Sequence, residues 1–271
     1  MQESNLKLTL ETDRMLATIQ DGVGWMTFNN PRRHNALSLE MWQGIAQIIE
    51  YFERSDEVKV VVMTGAGGKA FVSGADISEF DKARGSAEAN ESYGKASARG
   101  SHAVASMQKP LIAKITGYCM GGGLATALHA DIRFATEDST FAIPAVRLGL
   151  GYDYEGIAKM ARIVGVPRVR DIMLSGRRIS AAEAYQMGLI NFLESRDTID
   201  GAVQEYAARI AGNAPLTVKA AKAAANAYER GGQKDDLVAV REMITVCFNS
   251  EDYREGRLAF AEKRPPNFKG Q

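Results

Sequence analysis

Cysteine is scarce, with only Cys119 and Cys247 in a chain of 271 residues. That excludes a disulfide framework and a paired-cysteine metal motif, and it points to a reducing cytoplasm. No apolar run approaches the roughly 18 residues needed to cross a bilayer. The polar opening MQESNLKLTLETD carries no apolar stretch of the signal-peptide kind, so no membrane partner is expected. Net charge is absent too: 33 Lys plus Arg balance 33 Asp plus Glu, leaving no global basic field to draw in nucleic acid. No internal repeat or low-complexity tract interrupts the chain. What is present is 45% hydrophobic content, enough for one large α/β core with room for a helical appendage.

The most informative stretch is KITGYCMGGGLATALHAD, residues 114–131. A β-prone run ends near Thr116-Gly117-Tyr118, three glycines follow (Gly121, Gly122, Gly123), and an alanine-rich helix former begins at once. Glycines let a backbone approach a ligand with its N–H groups free. The first turn of a helix adds unpaired donors and the positive end of its dipole. Such a turn suits an oxygen that is becoming negative, although a glycine turn can equally serve only to pack a helix on a sheet.

The rest of the chain alternates strand and helix and then turns helical. Short β-prone runs at 6–10, 14–20 and 24–28, the last two separated by Asp21-Gly22, predict an N-terminal strand and a hairpin. NNPRRHNALS (29–38) is a loop ending in an N-cap, Ser38. Residues 39–54 carry a helical apolar period, and VKVVVMT (58–64) reads as a buried parallel strand. AFVSGADI (70–77) is a second glycine-bearing bend, placed to aim an N–H at the same oxygen as the first. Residues 81–99 show little apolar patterning and are expected to form a mobile or partly helical cover continued by a helix at 101–107. Strands are predicted at 110–115 and 131–135, with a short one before Pro144. From 157 onward helices are predicted at 157–163, 167–174, 180–187, 200–211, 215–230, 234–250 and 252–262. Buried packing is the expected role of Cys119.

In this order, AFVSGADI, GYCMGGGL, ISAAEAYQMGLIN (179–191) and the tail EDYREGRLAFAEKRPPNFKG (251–270) resemble the crotonase, or enoyl-CoA hydratase/isomerase, superfamily along about the whole chain. The resemblance implies an α/β fold: a ββα spiral core over residues 1–200 that binds acyl-CoA, and a C-terminal helical trimerisation region over 201–271. It implies a homotrimer or a dimer of trimers and an acyl-CoA thioester as substrate. Coenzyme A then belongs to the substrate, with no permanently bound cofactor and no metal. The oxyanion-hole donors it implies are the backbone N–H groups of Ala75 and Gly122. By the same resemblance coenzyme A lies near Arg32, Arg33 and Ala36, its phosphates near Lys69, and its adenine against the bend of Gly74, Asp76 and Ile77. Gly121 adjoins the thioester, and Phe260 and Lys263 correspond to tail residues that reach coenzyme A, often on an adjacent subunit.

Two positions depart from the family pattern. Hydratases of this superfamily place one glutamate at the position held here by Ala125 and another at the position held by Ala145, in IPAV. Methyl groups transfer no protons, and general acid–base help is worth ~10²–10⁴-fold per group. Standard two-glutamate hydration is therefore not expected, leaving isomerase, hydrolase or lyase chemistry. Asp153 matches an acid–base aspartate of dienoyl-CoA isomerases and the nucleophile of 4-chlorobenzoyl-CoA dehalogenases, and also suits the N-cap of a helix starting near Tyr154. His102 matches the dehalogenase base, though an aromatic of that enzyme would fall at Ala145. Tyr152 matches a tyrosine near the carboxylate in methylmalonyl-CoA decarboxylases, which keep a glutamate at the Ala125 position. A binding homologue without catalysis, for CoA thioesters or RNA, is the alternative from a different class.

Overall fold

A computed structural model describes residues 8–76 and 87–271, and side-chain surroundings for all of these except 87–90. The hairpin β1 (Met15–Gln20) and β2 (Val23–Phe28) is antiparallel, with Gln20 opposite Val23. Both residues between them have positive φ, 50° at Asp21 and 81° at Gly22, the two-residue turn whose twist matches the strands. Residues 8–10 of the expected first strand have no regular structure, and positions 1–7 lie outside the described residues.

The helix α1 (Leu39–Arg54) starts at Ser38, whose side chain accepts from the Met41 N–H, and buries Met41, Trp42, Ile45, Ile48, Ile49 and Phe52. Its last carbonyls are met by Lys109, whose Nζ donates to Phe52 O and Ser55 O at 2.7 and 2.6 Å. The β-branched strand β3 (Val60–Gly65) is buried on both faces because helices cover both sides. Val61 and Met63 face the α1 side, while Val60 and Val62 face a second core.

A strand of a large sheet, a short strand of a small sheet and a helix then recur three times. β3 leads to β4 (Ala70–Val72) and α2 (Ala87–Ser106). β5 (Leu111–Ile115) leads to β6 (Tyr118–Met120) and α3 (Gly122–Ala127). β7 (Ile132–Thr136) leads to β8 (Thr140–Ala142), a 3₁₀ turn Pro144–Arg147 and α4 (Tyr154–Val164). After α5 (Val166–Ser175) come β9 (Ile179–Ser180), α6 (Ala181–Gln186) and β10 (Phe192–Glu194). The large sheet has the order β1-β2-β3-β5-β7-β10 and the small one β4-β6-β8-β9. All large-sheet pairs except β1–β2 are parallel. In the small sheet only β8–β9 is antiparallel.

The chain closes with α7 (Ile199–Ala211), α8 (Pro215–Glu229), α9 (Lys234–Asn249) and α10 (Glu251–Glu262). The 200/201 boundary expected between core and tail falls inside α7, whose Ile199, Val203, Ala207 and Ala211 form the second core with Val60, Val62 and Ile112. Lys222 of α8 reaches Lys109 O and Asp131 Oδ2, both at 2.8 Å.

Two expectations need correction. From residue 87 the weakly patterned cover and its expected continuation form one unbroken helix, α2, with no break near 100, while 81–86 lie outside the described residues. Apart from Tyr93 its buried stripe is built from Gly100, Ala103 and Val104 with half-buried Ala96, modest-sized residues that score poorly as an apolar pattern but let α2 lie close against α1. Between β5 and the glycines there is also a further strand, β6, set off by Gly117 at φ 69°. Among the described residues no helix is long and apolar enough to cross a membrane.

Candidate active site

Two bends come together where β4 and β6 leave the small sheet. In the first, Gly74 has φ 115°, a conformation that costs side-chain-bearing residues energy. Leu37 forms an isolated parallel bridge with Ala75. The Leu37 N–H donates to Gly74 O at 2.8 Å, and the Asp76 N–H donates to Leu37 O at 3.0 Å. In a parallel pair the bonding groups come from the residues flanking the bridged partner. The Ala75 N–H therefore points away from Leu37, and it has no acceptor among the described residues.

In the second bend Gly121 adopts φ 51°, ψ −120°, and its N–H is used by Ala142 O at 2.8 Å. Gly122 follows as the first residue of α3, where a backbone N–H has no partner within the helix. Gly123 must be glycine for a different reason: a β-carbon there would lie 2.4 Å from Val72 O, so α3 is seated directly on β4. The bends touch, since a β-carbon on Gly121 would stand 3.8 Å from Gly74 Cα, and one on Gly74 3.6 Å from Met120 O. Ala75 and Gly122 thus each follow a left-handed glycine of this contact, and each has its N–H free among the described residues.

A cationic, aromatic surface lies beside the first bend. Arg32 and Arg33 are exposed on a 3₁₀ turn, Pro31–Arg33. The loop is held by buried Asn35, whose Oδ1 accepts from Asn30 N and whose Nδ2 donates to Ala66 O and Ala70 O. His34 and Asn35 are both left-handed, at φ 51° and 56°, a conformation asparagine tolerates better than most residues. Ala36 is buried beside them, whereas Lys69 is exposed, its carbonyl accepting from the Tyr118 N–H at 3.1 Å. Tyr118 in turn meets the His34 ring edge-on at 5.9 Å, with the Arg178 guanidinium 5.8 Å from its ring centre. Sequence reasoning missed Asn35, Tyr118 and Arg178. Only the NNPRRHN loop composition hinted at the first, and no local pattern announces the other two.

The remaining candidates are less tightly gathered. Ala125 is half-buried on α3 and Ala145 buried after β8. Tyr152 packs against the main core, and its phenol is pushed up to about 12 by burial and, secondarily, by the Asp153 charge. Asp153 is exposed and caps α4, its Oδ1 accepting from the Gly156 N–H at 2.7 Å. His102 is exposed on α2, its backbone carbonyl bonded to Ser106 Oγ. No described contact joins it to Asp153. Phe260, 88% exposed, and Lys263, the left-handed cap of α10, lie at the end of the helical tail. No described contact links either of them to the bends of the same chain. Ile77 lies outside the described residues. Cys119 is fully buried, and burial pushes its thiol up, which suits packing. No cluster able to hold a metal occurs among the described residues.

Residues 18–271 match the model of the enoyl-CoA hydratase/isomerase family, and the chain belongs to that family. It is 33% identical over 258 residues to the short-chain-enoyl-CoA hydratase of Clostridium acetobutylicum, across 94% of this chain and 97% of that protein. It is 31% identical to the 2,3-dehydroadipyl-CoA hydratase of Escherichia coli, across 95% and 99%. A crystal structure of an enoyl-CoA hydratase/carnithine racemase from Magnetospirillum magneticum superposes with a TM-score of 0.89 at 33% identity, across 96% and 97%. The α/β fold with C-terminal helices is thus the crotonase fold expected from the motifs.

Proposed function

We propose that this chain is an acyl-CoA-transforming enzyme that stabilises a thioester enolate or oxyanion with the Ala75 and Gly122 N–H groups. Isomerase, hydrolase or lyase chemistry follows, in place of two-glutamate hydration. The observation that carries the reading is the contact of two bends, each followed by a backbone donor with no described acceptor. Preorganised donors of this kind act where charge develops, and losing one typically costs roughly 3–4 kcal/mol of transition-state stabilisation. Ala125 and Ala145 supply no proton transfer, so any acid or base comes from elsewhere.

Asp153 is the first candidate for proton transfer or attack, with His102 or Tyr152 as a second group. Tyr152, packed against the main core, would donate to an enolate in decarboxylase-like steps. The dehalogenase-like alternative assigns attack to Asp153 and base catalysis to His102. Coenzyme A would lie along Arg32, Arg33, Ala36 and Lys69, its adenine toward Gly74, Asp76 and Ile77, with Gly121 and Ala145 near the acyl group. In a homotrimer or dimer of trimers the exposed apolar tail residues Tyr228, Phe248, Leu258 and Phe260 would meet other copies, and Phe260 and Lys263 would reach a neighbour's coenzyme A.

Incubation with enoyl-, dienoyl-, malonyl-type and aryl-CoA thioesters, followed by mass detection, tests this reading. Turnover of any member supports it. Tight binding with every thioester unchanged establishes instead the non-catalytic binding homologue.

A further inference from the structure

The Ala75 bend is held by Leu37, and Leu37 is itself held by a buried pair of aromatic polar groups. The indole Nε1–H of Trp42 donates to Tyr93 Oη at 3.1 Å, and the Tyr93 hydroxyl donates to Leu37 O at 3.4 Å. The same carbonyl accepts the Asp76 N–H at 3.0 Å, so its two lone pairs are shared between the bridge to the bend and the phenol. Next along the chain, Ser38 is fixed as the N-cap of α1.

The second bend meets the same two residues. A β-carbon on Gly122 would stand 4.0 Å from both Leu37 Cδ1 and Trp42 Cζ2. Leu37 therefore backs both bends, Trp42 lies beside the second, and Tyr93, arriving on α2, fastens the two together. All three side chains are buried, at 0%, 6% and 7% exposure.

We infer that Trp42 and Tyr93 are positioning residues, an indole–phenol relay that sets the direction of the Ala75 N–H by fixing the Leu37 carbonyl. Neither residue touches the thioester; both act through Leu37. The inference rests on the two-amide reading above. A relay serving only to satisfy buried polar groups would support folding and leave the polarisation of a bound thioester untouched.

A push–pull chromophore, p-dimethylaminocinnamoyl-CoA, separates these cases, because hydrogen bonds to its thioester oxygen shift its absorption to the red. The bound maximum is read with protein saturating over probe, so occupancy does not enter. Wild type is expected to shift the maximum. Tyr93→Phe, which keeps the ring and deletes only the hydroxyl, is expected to bind the probe with at least half of that shift lost. Trp42→Phe, which removes the indole donor to Tyr93 Oη, is expected to lose a smaller part. On any thioester that is turned over, Tyr93→Phe lowers kcat roughly tenfold with KM little changed, less than the ~10²–10³-fold of losing a donor itself. A full wild-type shift in both variants overturns the relay and leaves the two-amide reading standing. No shift in wild type overturns the two-amide reading itself.

Discussion

Gly100 of α2 lies flat against Trp42 of α1: a β-carbon at Gly100 would stand 2.8 Å from both Trp42 Cε3 and Trp42 O. Neither atom can retreat easily, since one belongs to the backbone and the other to a buried indole. Gly100→Ala is therefore expected to destabilise the protein by about 1–3 kcal/mol through overpacking. Urea unfolding reads this as a lower midpoint at unchanged slope, and an unchanged midpoint would show that the helices part without cost.

Gly122→Pro removes one free amide while leaving α3 intact. Gly122 is the first residue of that helix, where proline is well accommodated, and the nearest neighbours of a β-carbon are 4.0 Å away. The expected result is a loss of ~10²–10³-fold in turnover with little change in melting temperature. Equal turnover in variant and wild type would remove Gly122 from the chemistry.

Asp153 has two separable uses, cap and carboxylate. Asn retains an acceptor for the Gly156 N–H, whereas Ala forfeits about 0.5–2 kcal/mol of capping. Asp153→Asn is expected to melt with wild type and to lose turnover; Asp153→Ala loses both. Should Asp153→Asn turn over normally, the carboxylate is a cap alone.

Restoring the two glutamates tests why they matter. The double variant Ala125→Glu with Ala145→Glu is expected to gain hydration of a short enoyl-CoA, followed as loss of the conjugated thioester absorbance. Each single variant should fall ~10²–10⁴-fold below it. A double variant that binds the thioester without hydrating it would mean that the pocket no longer seats water between these positions.

His129 gives a pH signature. Burial, reinforced by the Lys159 ammonium and opposed by Glu229, pushes its imidazole from 6.5 down to about 4. Between those values the unfolded chain binds a proton that the folded chain does not, so stability falls as pH falls through that window. The loss amounts to at most about 3 kcal/mol. His129→Gln should flatten this slope in denaturant midpoints taken on either side of the window. Parallel slopes in the two proteins would place the acid sensitivity elsewhere.

Much of the frame was legible because its signals are local. Ser38 and Asp153 each cap the helix they precede, and Asp21-Gly22 makes the hairpin turn. The family motifs carried the candidate site to Gly74–Asp76 and Gly121–Gly122. What escaped was non-local or too short for a period. The strands β4 and β6 have three residues each. Asn35 reaches 35 positions along the chain to Ala70, and Trp42 pairs with Tyr93 across 51. Such partnerships exist only once the chain has closed.

Because the candidate donors at Ala75 and Gly122 belong to the main chain, they are indifferent to which side chain those positions carry, provided the curves before them survive. The side chains that decide the chemistry stand elsewhere, at 125 one turn further along α3 and at 145 and 152–153 on later segments. One anion trap of this build can serve unlike reactions by exchange of a few neighbours, so kinship in the scaffold leaves the choice of reaction to those neighbours.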